Sequence, residues 1–190
     1  MSVARRMVVG ISGASGAIYG VRALILLRYA GVETHLVMSR AAKLTLTYET
    51  DMKVAEVEAL ADVVHRADNI GASISSGSFS NLGMLIAPCS IRTLSEIASG
   101  VTSSLMSRAA DVALKERRRV VLMVREAPLH AGHLRSMLAV TEMGAIVSPP
   151  VPAFYARPTS IEALVDHSVG RALDLFGLDV GVEQRWDGIG

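Results

Sequence analysis

Arg125 and Glu126 stand side by side in "VREAPLH", directly after the apolar run "RVVLMV". A short continuous apolar run reads as a buried strand, so the pair falls at a strand's carboxyl end, where open α/β sheets carry their ligands. An arginine there can take a phosphate in forked geometry, and a glutamate there can accept a proton if burial raises its pKa. A local ion pair between the two neighbours is the competing reading. A second set of charges lies in "SRAADVALKERRR", where Arg108 and Lys115 share a helix face with Asp111 between them. Spacing alone favours a solvated face; the chemical alternative is a cationic pair that grips a phosphate. His130 and His133 are spaced H-x-x-H, with no cluster of cysteines or carboxylates nearby in sequence, and fit helix-start and packing roles better than metal ligation. Tyr155 sits in "PPVPAFYARP", where a phenol on a rigid loop either closes a pocket or packs in a turn.

Three loops offer small residues and hydroxyls. "GISGASG" places glycines at Gly10, Gly13 and Gly16, which is not the dinucleotide spacing G-x-G-x-x-G. Small residues there still let the backbone approach an anion at the N-terminus of the next helix; a tight turn packed for steric reasons is the alternative. After the second strand come Ser39 and Arg40, not the acidic residue that a nicotinamide ribose requires. Arg40 leaves a weak NADP reading, a mononucleotide phosphate on Ser39 fits equally well, and a helix N-cap is the favoured role for Ser39 on spacing. "PCSIRTL" offers Ser90 and Thr93 at another helix start, while Cys89 reads as a small core residue. Two anion-ready helix starts in one sheet suggest a phosphorylated cofactor.

These residues need elements that converge them. Strands are expected at Arg6–Ile11, Val32–Met38, Gly83–Ala87, Arg119–Val124 and Ala145–Val147. Helices are expected at Ala17–Ala30, Arg40–Thr50, Val54–His65, Ile91–Ser99, Ser104–Arg117 and His133–Met143. A capping box at Thr159–Glu162 opens a last helix that ends near Gly177. The expected fold is one doubly wound α/β domain with a mainly parallel sheet, plus a C-terminal tail from about residue 178. A formal net charge of +1 and 4% aromatic residues give no case for nucleic acid. Arg22 and Arg28 interrupt the most apolar helix, so no stretch is expected to span a membrane. Mean hydropathy is +0.39, an apolar excess that predicts a homo-oligomer. One cysteine excludes an internal disulfide, and no signal peptide is recognisable, so the expected compartment is the cytoplasm.

Seven motifs in order, "GISGASGAIYG", "ETHLVMS", "ISSGSF", "APCSIRTL", "RAADVALKERR", "VREAPLH" and "PPVPAFYARP", closely resemble the UbiX family of flavin prenyltransferases from about Met7 to Trp186. The resemblance implies a flavodoxin-like or Rossmann-like fold and a dodecamer. It implies metal-independent transfer of a dimethylallyl group from dimethylallyl monophosphate to N5 and C6 of reduced FMN. The prenylated FMN would serve a UbiD-type decarboxylase. By matching positions, FMN would meet Gly13, Ala14, Ser15, Ser39, Ser90, Ile91, Arg92, Thr93 and Arg125. The prenyl phosphate would meet Lys115, Tyr155 and Arg171, with Arg108 and Glu126 lining the same pocket. Glu49 and Trp186 match positions near the active site, some supplied by neighbouring subunits. Ser15 and Glu126 are candidate proton relays. Arg40 for the usual lysine and Ala131 for a larger apolar residue depart from the family pattern. A cysteine decarboxylase of the same fold would carry P-A-S-A-N-T in place of "PCSIRTL"; a non-catalytic FMN carrier would not need the second phosphate grip.

Overall fold

A computed structural model describes residues 5–182 of the 190-residue chain. The elements run β1 (Arg6–Ile11), α1 (Ala17–Tyr29), β2 (Glu33–Met38), α2 (Arg40–Glu49), α3 (Val54–Glu58) and β3 (Val63–His65). They continue with β4 (Gly83–Cys89), α4 (Ile91–Ala98), α5 (Leu105–Lys115), β5 (Arg119–Val124), α6 (Ala131–Glu142), β6 (Ile146–Val147) and α7 (Ile161–Asp174). The strands form one sheet in the order β3-β2-β1-β4-β5-β6, and every pairing is parallel. The expected doubly wound α/β fold is therefore present, and its strand order reverses direction between β1 and β4.

The sheet is buried on both faces because its strands are apolar at successive positions. Met7, Val9 and Ile11 of β1 join one core with α1 and α7, whereas Val8 joins the other with α5. Each face therefore buries alternate side chains of the same strand. Arg22 of α1 donates from Nε and Nη2 to the two carboxylate oxygens of Asp166 on α7, at 2.6 and 2.8 Å, which sets how α7 lies across α1.

Several boundaries differ from the sequence expectation. The stretch expected as a helix from Val54 to His65 stops at Glu58 and re-forms as β3. Val63 and Val64 are β-branched and pair with His35 and Leu36, and the Asp62 carboxylate accepts from the Thr34 N–H at 2.7 Å. β4 continues through Pro88 to Cys89, with the proline accommodated where the register against β5 shifts. α5 stops at Lys115, ahead of Arg117 with its left-handed φ of 57°. α6 opens two residues early because the His130 ring accepts the Gly132 N–H. The cap of α7 is Ser160 instead of Thr159; its hydroxyl accepts from the Ala163 N–H at 3.1 Å. Beyond α7, Leu178 is buried, and Val180 and Val182 pack against the same core.

Candidate active site

The reversal between β1 and β4 opens a crevice at the carboxyl ends of the strands. The loop after β1 and the start of α4 form its two walls. One lobe, about 560 Å³, is lined by Gly13, Ala14, Ser15, Ser90, Ile91, Arg125, Glu126 and Ala127. A second, about 480 Å³, includes Gly13, Ser39, Arg40, Ser90, Ile91, Arg92, Thr93 and Glu126. Shared residues join the lobes into one cleft. All nine residues expected to hold FMN line it, and Glu126 lines both lobes.

The walls are built by close packing and caps. A Cβ on Gly13 would fall 2.4 Å from Cβ of Ala41, so only glycine lets the first loop lie against the start of α2. Gly16 has φ 97°, and Cδ of Arg125 would lie 3.2 Å from a Cβ there. The bare turn thus gives the Arg125 side chain its path to the cleft. The Ser39 hydroxyl accepts the Ala42 N–H at 3.0 Å, and the Ser90 hydroxyl accepts the Thr93 N–H at 3.3 Å. Both serines are helix N-caps, as favoured for Ser39. Their hydroxyls nonetheless stand on the cleft wall at the positive ends of α2 and α4.

The N-terminus of α1 is already filled by the protein's own anion. Glu49, the last residue of α2, accepts the Gly16 and Ala17 N–H groups at 2.7 and 3.1 Å. Burial works to raise its pKa, but hydrogen bonds from Ser15, Gly16 and Ala17, with the Arg125 charge nearby, outweigh it and hold the carboxyl below its ordinary value. A phosphate therefore fits the Ser39 and Ser90 side of the cleft better than the glycine turn.

Two contributors were not singled out in the sequence. Ser12, almost fully buried, donates its hydroxyl to the Pro88 carbonyl at 2.8 Å and accepts the Ser90 N–H at 2.7 Å. It fastens the two walls together. Tyr19, one turn into α1, has its phenol pKa raised by burial, which Arg125 partly opposes. Only the serine in "GISG", the strand end itself, could have signalled the first.

Other expected residues lie outside this cleft. Lys115 ends α5, so it sits toward the amino edge of the sheet; its ammonium pairs with Glu116, and it lines a neighbouring cavity with Gly100 and Asp111 that meets the cleft at Glu96. Arg108 pairs with Asp111, which matches the bland reading of that helix face within one chain. Tyr155 is in a 3-10 turn, Phe154–Ala156, and its hydroxyl lies 3.3 Å from Nε2 of His167. Arg171 pairs with Asp174 in the last turn of α7. Trp186 lies outside the described residues. Cys89 is fully buried, its thiol pKa pushed up to about 12, as a core residue's would be. The His130 and His133 rings lie against each other at the start of α6, centroids 3.6 Å apart and tilted by 32°.

A single chain thus holds a flavin-sized cleft lined by Arg40, Arg92 and Arg125, by hydroxyls and by the carboxylates of Glu96 and Glu126, but not a complete second phosphate grip. A family model described as Flavoprotein matches residues 1–173, which defines the class of protein. A protein named flavin prenyltransferase UbiX from Escherichia coli (strain K12) is 58% identical, covering 97% of this chain and 99% of its own length. The crystal structure of AnUbiX (PadA1) in complex with FMN and dimethylallyl pyrophosphate superposes with TM-score 0.96 at 55% identity, covering 98% of this chain and 99% of that one. A dodecameric FMN-dependent UbiX-like decarboxylase from Escherichia coli O157:H7 gives TM-score 0.94 at 48% identity, covering 96% of this chain and 100% of that one. The chain belongs to the Flavoprotein family, on its UbiX flavin prenyltransferase branch. Among the described residues no helix is long and apolar enough to cross a membrane.

Proposed function

We propose that this protein is a flavin prenyltransferase that joins a dimethylallyl group from dimethylallyl monophosphate to N5 and C6 of reduced FMN. The observation that carries the reading is the cleft at the β1–β4 reversal, where Arg125, two helix-capping serines and Glu126 face one flavin-sized space. Membership of the UbiX branch supports it, as does the ligand pair named for the AnUbiX structure. The product, prenylated FMN, would pass to a UbiD-type decarboxylase, and the work would be done in the cytoplasm.

In this reading the Ser39 and Ser90 hydroxyls, the amides of Ile91 to Thr93 and the Arg125 guanidinium hold the FMN phosphate and ribityl side. Arg92 closes the outer edge of that lobe, tied to Glu96 at 3.0 Å. Gly13, Ala14 and Ser15 take the ring system. When the allylic C–O bond breaks, its electron pair leaves with the phosphate. Lys115, Tyr155 and Arg171 stabilise that growing charge, with Arg108 near them. These groups lie outside the cleft of their own chain, so neighbouring copies of a homo-oligomer, twelve by the family pattern, supply them. Trp186 offers a π-face to the allylic cation. Ser15 and Glu126 carry away the proton released on ring closure, and Glu49 aims Ser15.

The test is anaerobic incubation with reduced FMN and either dimethylallyl monophosphate or the diphosphate, followed by the mass of the released flavin. A gain of one dimethylallyl unit with the monophosphate is expected. Tightly bound but unmodified FMN with both donors overturns the reading.

A further inference from the structure

His167 is a buried polar ring on a helix whose neighbouring buried positions are aliphatic. Val165, Val169, Ala172 and Leu173 of α7 are all buried, and His167 is only 9% exposed. A ring nitrogen in such a place is costly unless it has a polar partner. Nε2 of His167 lies 3.3 Å from the Tyr155 hydroxyl, and the two rings meet edge to face at 81° with centroids 5.7 Å apart. Tyr155, by contrast, is 47% exposed, so its phenol spans from this buried ring toward the surface. Arg171 follows His167 by four residues, one helical turn further along the same side of α7. The Arg22–Asp166 pair anchors that helix one residue before His167.

We propose that His167 is a positioning residue that aims the Tyr155 hydroxyl at the donor phosphate alongside Arg171. This rests on the reading of Tyr155 and Arg171 as part of the phosphate grip. The direction of the bond follows from valence. A phenol has one hydrogen, and a phosphate oxygen can only accept. Tyr155 serves the phosphate only when its hydrogen goes there, so the bond to His167 has to run the other way. Nε2–H of the imidazole donates to the phenol oxygen, and the phenol donates onward. Such a chain strengthens the outer bond and fixes the ring's rotation. A phenylalanine at this site would keep the ring packing and lose the direction.

The experiment compares His167→Phe, His167→Gln, Tyr155→Phe and the double variant His167→Phe/Tyr155→Phe. Donor KM, kcat and FMN affinity are measured anaerobically on protein whose thermal midpoint is checked first. His167→Phe is expected to raise the KM for dimethylallyl monophosphate about three- to tenfold, within the worth of one hydrogen bond, and to leave FMN affinity unchanged. His167→Gln, which restores a side-chain N–H donor, is expected to recover most of that loss. In the Tyr155→Phe background the histidine change is expected to add nothing. Equal losses for Phe and Gln, an undiminished loss in the Tyr155→Phe background, or an unchanged donor KM overturns the inference while the function stands. A wild-type protein that leaves FMN unmodified overturns both.

Discussion

Replacing Ser12 with alanine tests whether the cleft is held together from beneath. The Ser12 hydroxyl is the acceptor for the Ser90 N–H and a donor to the Pro88 carbonyl, and the residue is 1% exposed. The two partners fare differently when it is removed. The Pro88 carbonyl keeps the Ser12 backbone N–H at 3.2 Å, so it stays satisfied. The Ser90 N–H, in a part-buried bond, loses its acceptor. An orphaned buried donor costs about 1–3 kcal/mol. At about 2–4 °C per kcal/mol for a chain of this size, the thermal midpoint should fall by several degrees. Ser90 and the Gly13–Ser15 turn face the same cleft, so part of that cost should also appear in binding. FMN affinity is expected to drop about 3–30-fold, since each 1.4 kcal/mol is a factor of ten. Thermal unfolding at fixed protein concentration, with and without FMN, and a flavin-fluorescence titration read both quantities. A Ser12→Ala protein with wild-type midpoint and FMN affinity would refute the idea that this serine couples the walls.

Gly13→Ala should push the first loop away from α2, because its new methyl would meet Ala41 at 2.4 Å; a destabilisation of about 1–3 kcal/mol and loss of tight FMN binding are expected by titration. Glu49 has a folded-state pKa below its ordinary 4.5, so its stabilisation is fully present above that value and is lost as pH falls through the lowered one. The stability gap between wild type and Glu49→Gln should therefore be constant near neutrality and shrink below about pH 4.5 in acid unfolding curves; the site is solvent-screened, so the gap itself should be on the order of 0.5 kcal/mol. A gap that widens in acid would show the opposite shift. Cys89, with its thiol pushed up to about 12, should resist iodoacetamide in the native protein at pH 8 and react only after unfolding, as mass spectrometry would show.

Much of the fold was legible because β1, β4 and β5 carry continuous apolar runs and β2 ends in one, Leu36–Met38, all separated by helical patterns and glycine stops. β3 was not. Three residues carry too little periodicity to distinguish a strand from the end of a helix, and what makes Val63–His65 a strand is the free edge of β2 beside it. At the site, residues next to strand ends were legible, since topology delivers every one of them to the same edge. Ser12 escaped notice because its partners are 76 and 78 positions away in sequence. The distance of Lys115 from the cleft was equally invisible: a helix antiparallel to its strand carries its last residue to the far side of the sheet. The link between Tyr155 and His167 depends on a fold of the intervening loop that no spacing encodes.

The sheet ends in two very short strands, three residues in β3 and two in β6. Such edges offer few open main-chain groups for another chain to extend. Any association between copies of this protein would therefore run through side chains on helices and loops, where Tyr48, Phe154 and Ile161 stand exposed. Recognition of that kind is written residue by residue and can drift without disturbing the sheet. Such drift would change which side chains a neighbouring copy presents to the cleft at the strand reversal, while the flavin-binding walls of each chain stay as they are.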